Sequence, residues 1–258
     1  MESRILSKIR RLNWVLSEST TGSLSYNDLS VILKEIIDAN VYIADIDGNM
    51  LGVSYINAED SSTVLGEGGT ERLEVIHNQN FLSIEETAAN LRGEEILRYV
   101  GEDYEMADKY HCIIPSVCGG QRMGTLIAAR HGEKFDDVDI ALCEYGATVV
   151  GLEIKRNMNL AAEREKALRK AVDIAIETLS FSEREALGKI MQEFSGDQGS
   201  LVASKVAAKY SLTNSGIVNA LRKLESAGVL QARSLGVKGT RINITNPYLR
   251  EKAEALSL

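Results

Sequence analysis

Hydrophobic and polar positions follow two different periods along this chain, and the changes of period outline its elements. Apolar residues spaced three or four apart between Ile5 and Leu16 predict a first helix, and the same spacing over residues 28–38 predicts a second. The β-like segments Val41–Asp45 and Met50–Ser54 flank the turn sequence Asp47-Gly48-Asn49, which is typical of a hairpin. The helices are therefore expected to cover a sheet.

A second hairpin is predicted further along the chain. Residues 112–118 and 123–129 have the apolar density of central strands, and a glycine-rich turn at 119–122 joins them. These glycines resemble a phosphate-binding loop, but such loops lead from a strand into a helix, whereas a strand follows here. We therefore interpret them as a hairpin turn.

Proline is absent from residue 136 to residue 179, where the pattern favours one long or slightly broken helix. About 40 helical residues would span about 60 Å, so the charged second half is expected to bridge two domains. Ser182 and Glu185 have the Ser-x-x-Glu spacing of a capping box, which predicts a new helix through Phe194. Residues 195–200 are predicted to form a loop.

The chain then has the pattern of two short helices joined by a turn. A helix is predicted over Ala203–Lys209, followed by a turn at 210–212 and by Thr213 as the N-cap of a second helix. Gly228 is suited to a left-handed conformation at the end of that helix. The inner face of the second helix is predicted to consist of Ile217, Val218, Leu221 and Leu224.

Two further strands, at residues 229–234 and 240–244, flank a turn that contains Gly236 and Gly239. Two helices followed by such a hairpin indicate a winged helix-turn-helix, in which the second helix enters the major groove of duplex DNA and the wing contacts phosphates. The predicted DNA-binding residues are Ala203, Ser204, Lys205, Thr213, Asn214, Ser215, Asn219, Arg222, Lys223, Arg233, Ser234, Lys238, Gly239, Thr240 and Arg241.

The charge distribution agrees with a DNA-binding C-terminal domain. The whole chain carries a net charge of −8, but residues 200–258 contain nine Lys and Arg against three Glu, a net charge of +6. Residues 1–199 therefore carry −14, from 20 basic and 34 acidic side chains. DNA binding requires a local positive field, which this segment can supply.

Composition narrows the class of protein. A chain of 258 residues suits one larger and one smaller domain, and no apolar run is long enough to span a bilayer. Because the N-terminus is too charged for a signal peptide, we expect a cytoplasmic protein without membrane contact. Three scattered histidines and the lack of a catalytic motif argue against an enzyme. Cys112, Cys118 and Cys143 have no metal-binding spacing and are expected to be buried, reduced thiols.

The segment LVASKVAAKYSLTNSGIVNALRKLESAGVLQARSLGVKGT at 201–240 closely resembles the DNA-binding segment of the CodY family, global nutrient-responsive repressors of Gram-positive bacteria. The resemblance extends to GQRMGTLIAAR at 120–130 and to FDDVDIALCEYGATVVGLEI at 135–154. It implies an α/β (α+β) chain with a GAF-like sensing and dimerisation domain at 1–155, a linker helix at 156–180 and a winged helix-turn-helix at 181–258.

The resemblance also implies an effector, chiefly isoleucine, with leucine and valine as related ligands. Such a ligand needs a cation for its carboxylate, acceptors for its ammonium group and an apolar socket for its side chain. The residues predicted to provide them are Arg72, Leu73, Ile96, Leu97, Arg98, Tyr99 and Val100. No metal or resident cofactor is expected.

Members of this family are described as GTP-responsive, which would require a basic site of nucleotide size. The first hairpin turn of this chain is acidic, with Asp45 and Asp47, and would repel a triphosphate. Direct GTP sensing is therefore expected to be weak or differently built.

The expected partners are double-stranded DNA operators and a second copy of the chain, in a homodimer or a tetramer, since two-fold proteins match two-fold operators. An alternative is a winged-helix regulator of the same architecture that senses another metabolite, or one whose GAF domain only dimerises.

Overall fold

The computed structural model describes residues 4–18, 25–56, 63–66 and 69–255, with the side chains of Arg4 and of residues 15–18 outside the description. The chain separates into two compact units, Met1–Asn159 and Leu160–Leu258, and each is described by itself.

The first unit contains helices α1 (Arg4–Glu18), α2 (Tyr26–Ile37), α3 (Val75–Leu82) and α4 (Glu94–Val100), and strands β1 (Asn40–Asp45), β2 (Met50–Ser54), β3 (Val64–Leu65), β4 (Glu71–Arg72), β5 (Ala88–Leu91), β6 (Tyr110–Cys118) and β7 (Gln121–Arg130). Helix α5 (Asp137–Glu177) begins in this unit and ends in the second. The prediction of one long helix in this part of the chain is confirmed.

Five strands of the first unit form an antiparallel sheet in the order β2-β1-β7-β6-β5. Both predicted hairpins are present, as β1–β2 and as β6–β7, and the glycine-rich segment is a turn between strands. The predicted first and second helices correspond to α1 and α2. The short elements between residues 64 and 100 had no sequence-based prediction, because none of them is long enough to show a clear period.

Strand residues of the sheet point alternately to its two faces, and both faces are apolar. Val41 and Ile43 of β1 belong to one core cluster, packed with residues of α1, α2 and α5. Tyr42 and Ala44, the alternate positions, belong to a second cluster with residues of α3 and α4. The sheet is thus covered on both sides, and the second face is the one that encloses the cavity described below.

The second unit contains the end of α5, then α6 (Phe181–Gln192), β8 (Gln198–Leu201), α7 (Ala203–Tyr210), α8 (Asn214–Ser226), β9 (Leu230–Ser234), β10 (Thr240–Ile244) and α9 (Tyr248–Ala255). Its sheet has the order β8-β10-β9 and is antiparallel. The predicted helix-turn-helix and wing hairpin are present. One core cluster joins Val172 and Ile176 of α5 to residues of α6, α7, α8 and the sheet.

Two of the elements predicted in the second unit have wrong bounds or the wrong type. Helix α6 begins two residues earlier than expected: Ser180 is the N-cap, and its capping box is completed by Glu183 rather than formed by Ser182 and Glu185. Both pairs have the Ser-x-x-Glu spacing, so the spacing alone could not decide between them. Residues 198–200 of the predicted loop belong to strand β8 (Gln198–Leu201), because β10 supplies a partner that is 39 to 45 residues away in sequence.

Other features agree with the composition. None of the helices in the described ranges is both long and apolar enough to cross a bilayer. Cys112 and Cys143 are buried, free thiols, and burial raises the pKa of Cys112 to about 11. Cys118 is also free but partly exposed, in contrast to the expectation of burial.

Candidate DNA-binding surface and effector cavity

A tight turn and a side-chain cap set the position at which α8 begins. Ser211 ends α7 in the left-handed conformation, with φ of 57°. The Thr213 hydroxyl then accepts a hydrogen bond from the Gly216 backbone N–H at 3.1 Å, as predicted for an N-cap. The first helical residues, Asn214 and Ser215, are exposed. They occupy the part of the second helix that meets base edges in helix-turn-helix proteins.

The inner face of α8 differs from the prediction at one position. Ile217, Leu221 and Leu224 are buried as predicted, but the fourth buried residue is Ala220. Val218 is 48% exposed. At about 100° per residue, the four buried side chains lie within one arc of about 100° around the helix, and Val218 lies outside that arc. Val218 instead lies on the outer side, four residues from Asn214 and from Arg222.

The wing is attached beside the start of α7. Thr240 of β10 pairs with Leu201 of β8, and α7 begins two residues after Leu201. The register therefore brings Gly239 and Thr240 close to Leu201 and to the start of α7. These two segments, far apart in sequence, belong to one continuous part of the second unit.

Two arginines lie directly opposite each other in the wing. Arg233 of β9 pairs with Arg241 of β10, and both side chains are exposed. Like charges at directly opposed positions destabilise a sheet, and Arg241 has one described partner, the Gln198 side-chain oxygen at 3.2 Å. An anion between the two guanidinium groups would remove this repulsion. Ser234 is the exposed cross-strand neighbour of Thr240 on the same hairpin.

Ion pairing divides the nine cations of residues 200–258 into two groups. Four are paired with carboxylates within 4 Å: Lys209, Lys223, Arg250 and Lys252. The other five are exposed and have no ion pair within the described part of the chain. These five are Lys205, Arg222, Arg233, Lys238 and Arg241. All five lie in the helix-turn-helix or the wing, where they can meet phosphates.

Lys223 is the one predicted DNA-binding cation that the structure uses elsewhere. Its ammonium group donates to a carboxylate oxygen of Glu183 at 2.6 Å and to the Thr178 carbonyl at 3.0 Å. It therefore connects α8 to the start of α6. Asn219, a further predicted contact, is half-buried, whereas Arg222 is exposed.

The first unit encloses a small apolar cavity between its sheet and helices α3 and α4. Its volume is about 20 Å³, room for about one water molecule. Leu73, Ile96 and Val100 were predicted as ligand residues and line it. The remaining lining residues are Tyr42, His77, Phe81, Tyr104, His111 and Ile127. Sequence reasoning missed these six because they come from four separate elements and a loop.

A larger, open cleft of about 460 Å³ lies next to this cavity. The two share His77, Val100 and Tyr104, which form the wall between them. Four acidic residues line the cleft: Glu74, Glu102, Asp103 and Glu105. A negatively charged cleft thus adjoins the apolar cavity.

The two histidines that line the cavity, His77 and His111, are held in place by hydrogen bonds. His77 Nε2 lies 2.7 Å from the Val100 carbonyl, and His111 Nε2 lies 3.0 Å from the Tyr104 hydroxyl. Burial lowers the pKa of His111 to about 4, so this imidazole is neutral at pH 7. A neutral His111 keeps the cavity suited to an apolar group.

The two candidate arginines have different surroundings. Arg72 pairs with Val64 in the β3–β4 ladder, and Val64 lines the cleft. The Nε–H of Arg72 is buried and finds no acceptor among the described residues, and its Nη2 donates to the Asp47 carbonyl at 3.3 Å. Arg98 is exposed, and neither of the two arginines lines the cleft or the cavity.

Leu97 and Tyr99 complete the predicted ligand set, and neither lines the cavity. Both are half-buried and pack against the core on this face of the sheet. The Tyr99 carbonyl accepts a hydrogen bond from the Asn80 side chain at 2.7 Å. Leu97 and Tyr99 therefore help to hold α4 against the core.

The first hairpin turn is acidic, and one of its carboxylates stabilises it from within. The Asp45 carboxylate accepts hydrogen bonds from the backbone N–H groups of Asp47 and Asn49, each at 2.9 Å, and from the Asn49 side chain. Among the described residues, no group of three or more His, Cys, Asp or Glu side chains could hold a metal ion.

These features define a two-unit protein with an α/β unit followed by a winged helix-turn-helix. Residues 4–178 match the family model described as the CodY GAF-like domain, and residues 197–255 match the CodY helix-turn-helix domain. The chain belongs to the CodY family.

Curated relatives cover almost the whole chain. The Global transcriptional regulator CodY of Clostridium acetobutylicum is 43% identical over 251 residues, which is 96% of this chain and 97% of the relative. The protein of the same name from Clostridium perfringens is 40% identical over 98% of this chain and 99% of its own. Both relatives are named as transcriptional regulators, which confirms the prediction that this chain is a regulator and not an enzyme.

Among solved structures, the chain is similar to the cofactor binding GAF domain of the nutrient sensor CodY from Clostridium difficile. The sequences are 37% identical, and the match covers 60% of this chain and 99% of the other, with a TM-score of 0.49.

Proposed function

We propose that this protein is a cytoplasmic, global transcriptional regulator, mainly a repressor, that binds operator DNA through α8 and the wing. Branched-chain amino acids, chiefly isoleucine, are its effectors and tighten DNA binding. The observation that carries the DNA-binding part is the set of five exposed cations without ion pairs, all in the helix-turn-helix and wing, while the other four cations of the segment are paired. The test is operator binding by the full chain with and without isoleucine.

Removing a wing cation should weaken binding to every DNA sequence in a salt-dependent way. Each phosphate contact contributes about one unit to the slope of log K against log salt. Lys238→Ala is therefore expected to reduce this slope by about 1 and to weaken specific and non-specific binding together. Fluorescence anisotropy with labelled duplexes at several salt concentrations measures both quantities.

Lys252→Ala is the matched control, because Lys252 is paired with Asp173 at 2.8 Å and lies on α9. It should leave the slope unchanged. Equal reductions in slope for the two variants would contradict the role assigned to the wing.

The effector part of the proposal is supported by the cavity and by the cleft beside it. An isoleucine side chain matches the apolar lining from Leu73, Phe81 and Ile96, and the carboxylates of the cleft can accept hydrogen bonds from the ammonium group. A volume of about 20 Å³ does not hold a four-carbon side chain, so the ligand must enlarge the cavity. Tyr104 belongs to both the cleft and the cavity, and its displacement would join them into one site.

We assign the ligand carboxylate to Arg72, whose buried Nε–H has no described acceptor, rather than to Arg98. Isoleucine should raise the melting temperature of the wild-type protein, because a ligand that binds the folded state stabilises it. Arg72→Ala is expected to weaken isoleucine binding by about 10- to 100-fold, since it removes a charge-assisted hydrogen bond. Thermal unfolding over an isoleucine titration gives the comparison.

Arg98→Ala provides the control and should keep the wild-type response. A lost response in Arg98→Ala with a full response in Arg72→Ala would reverse the assignment. If neither isoleucine nor another amino acid stabilises the wild-type protein, the effector is a different metabolite or the first unit only dimerises.

GTP is not assigned to the first hairpin turn. Asp45 already stabilises the turn through its hydrogen bonds, and both Asp45 and Asp47 would repel a triphosphate. Added to the same thermal assay with Mg²⁺, GTP should leave the melting temperature unchanged. A saturable increase would contradict this part of the proposal.

We further propose that α1 and the first half of α5 form a homodimer interface. Four large apolar side chains on these helices are 43–59% exposed: Ile5, Leu6 and Trp14 of α1 and Leu152 of α5. Exposed apolar patches of this kind mark sites of protein–protein contact. Light scattering at micromolar concentration should give the mass of a dimer, and Leu6→Glu with Trp14→Glu should shift it toward the monomer. Val31→Glu on α2 is the control. A wild-type monomer would exclude this interface.

A further inference from the structure

Val218 is the exposed apolar residue of the helix that is proposed to read DNA. All residues of α8 are described, and four of its five apolar side chains are buried: Ile217, Ala220, Leu221 and Leu224. Val218 is the fifth and is 48% exposed. The core of the second unit therefore does not explain why this position carries a branched apolar side chain.

The neighbours of Val218 on the helix surface are polar. Residues four apart lie one above the other on an α-helix, so Asn214 and Arg222 flank Val218 along the outer side. Both are exposed, as is Ser215 three residues before it. A single apolar group among hydrogen-bonding groups does not have the extent of a protein interface, which needs a contiguous apolar patch.

Duplex DNA offers one apolar partner at this place. In the major groove, the 5-methyl group of thymine is the apolar feature among hydrogen-bond donors and acceptors, and apolar side chains contact it. Resting on the proposed DNA-binding function, we infer that Val218 is a specificity-determining residue that packs against a thymine methyl group of the operator. Asn214, Ser215 and Arg222 form the hydrogen bonds around it.

The test removes the methyl group from the DNA and the side chain from the protein. Operators are first selected from a randomised duplex pool with the full-length protein. Each thymine of the selected site is then replaced, one at a time, by deoxyuridine, which lacks only the 5-methyl group. At one or more positions the wild-type protein should lose about fourfold in affinity, the effect of one buried methyl-sized group.

Val218→Ala should bind the thymine operator about fourfold more weakly than the wild type does. Replacing the contacted thymine by deoxyuridine should not weaken the binding of this variant any further. The variant keeps the fold, because the site is half-exposed and alanine favours helices. Val31→Ala, a partly exposed valine on α2, is the matched control and should retain the complete deoxyuridine pattern.

Two outcomes would overturn the inference while the proposed function stands: a deoxyuridine pattern in Val218→Ala identical to that of the wild type, or a wild-type protein insensitive to deoxyuridine at every thymine. If the selection enriches no sequence, the proposed function and this inference both fail.

Discussion

Replacing Glu183 by alanine is expected to accelerate amide hydrogen exchange in α6 and α8 by roughly 30-fold. The Glu183 carboxylate accepts hydrogen bonds from the Ser180 backbone N–H at 2.7 Å and from Lys223 Nζ at 2.6 Å, and its side chain is only 8% exposed. Its loss removes half of a capping box and leaves the ammonium group of Lys223 without its carboxylate. Together these changes cost about 2 kcal/mol, which corresponds to roughly 30-fold in an opening equilibrium.

Two control variants separate the contributions. Glu185→Ala changes an exposed carboxylate of the same helix and should leave exchange near the wild-type rate. Glu183→Gln retains an acceptor for the Ser180 N–H and loses the ion pair, so its effect should be intermediate. Equal effects of Glu183→Ala and Glu185→Ala would mean that the cap and the ion pair do not stabilise this unit.

The stabilisation by Glu183 is expected to depend on pH. Hydrogen bonds from Lys223 and from the Ser180 N–H hold the pKa of Glu183 below its ordinary value. A group whose pKa is lower in the folded state contributes its full stability above the unfolded pKa and loses it as the pH falls through the folded pKa. The difference in exchange between wild type and Glu183→Ala should therefore be full at neutral pH and should shrink below about pH 4.

The second large effect is expected for Gly239→Ala in the wing. Gly239 has φ of 98°, and a Cβ atom there would lie 2.2 Å from the Leu201 carbonyl oxygen. The residue is thus restricted to glycine by its backbone conformation and by the strand beside it. Alanine is expected to cost about 3 kcal/mol or more, through strain and displacement of β10 from β8. Operator affinity should fall at least tenfold, because the wing carries three of the five cations without ion pairs.

Gly236→Ala is the comparison within the same turn. Gly236 has φ of 63°, but a Cβ there would meet no atom within 4 Å. Its substitution should cost only about 1 kcal/mol, the penalty of the left-handed conformation. The increase in hydrogen exchange of β10 and the loss of operator affinity, measured by anisotropy, should both be larger for Gly239→Ala than for Gly236→Ala. An equal, small effect of the two would show that contact with Leu201 does not fix the wing.

Gly239 also shows what the sequence could and could not reveal about the wing. Glycines at 236 and 239 predict a turn correctly, and that turn is the reason that the sequence gives for both. The structure gives Gly239 a different reason, the close carbonyl of Leu201, which belongs to strand β8, of which residues 198–200 were predicted as a loop. A strand of four residues without strong β propensity is formed by its partner, and that partner lies far away in sequence.

The recognition helix illustrates the same limit at the level of single side chains. Thr213 as N-cap and the inward positions of Ile217, Leu221 and Leu224 follow from capping chemistry and helical period, and they are confirmed. Val218 was misplaced, and the internal partner of Lys223 was not foreseen. The Lys223–Glu183 pair joins residues 40 apart, so no local pattern contains it.

The candidate effector cavity was the least predictable part. Leu73, Ile96 and Val100 were found because apolar residues lie next to an arginine in the sequence. Four other lining residues come together only when the sheet, α3 and the segment after α4 pack against each other: Tyr42, His77, Tyr104 and His111. The alternation of β1 does indicate a second apolar face, but not which helices cover it.

The most direct test of the proposed function is the affinity of the full-length protein for a labelled promoter fragment from a branched-chain amino acid operon. Anisotropy at fixed salt, with and without millimolar isoleucine, measures it, and a scrambled duplex gives the non-specific affinity. The proposal predicts specific binding that isoleucine tightens. Specific binding that is indifferent to isoleucine would contradict the effector assignment, and equal affinity for the scrambled duplex would contradict operator recognition itself.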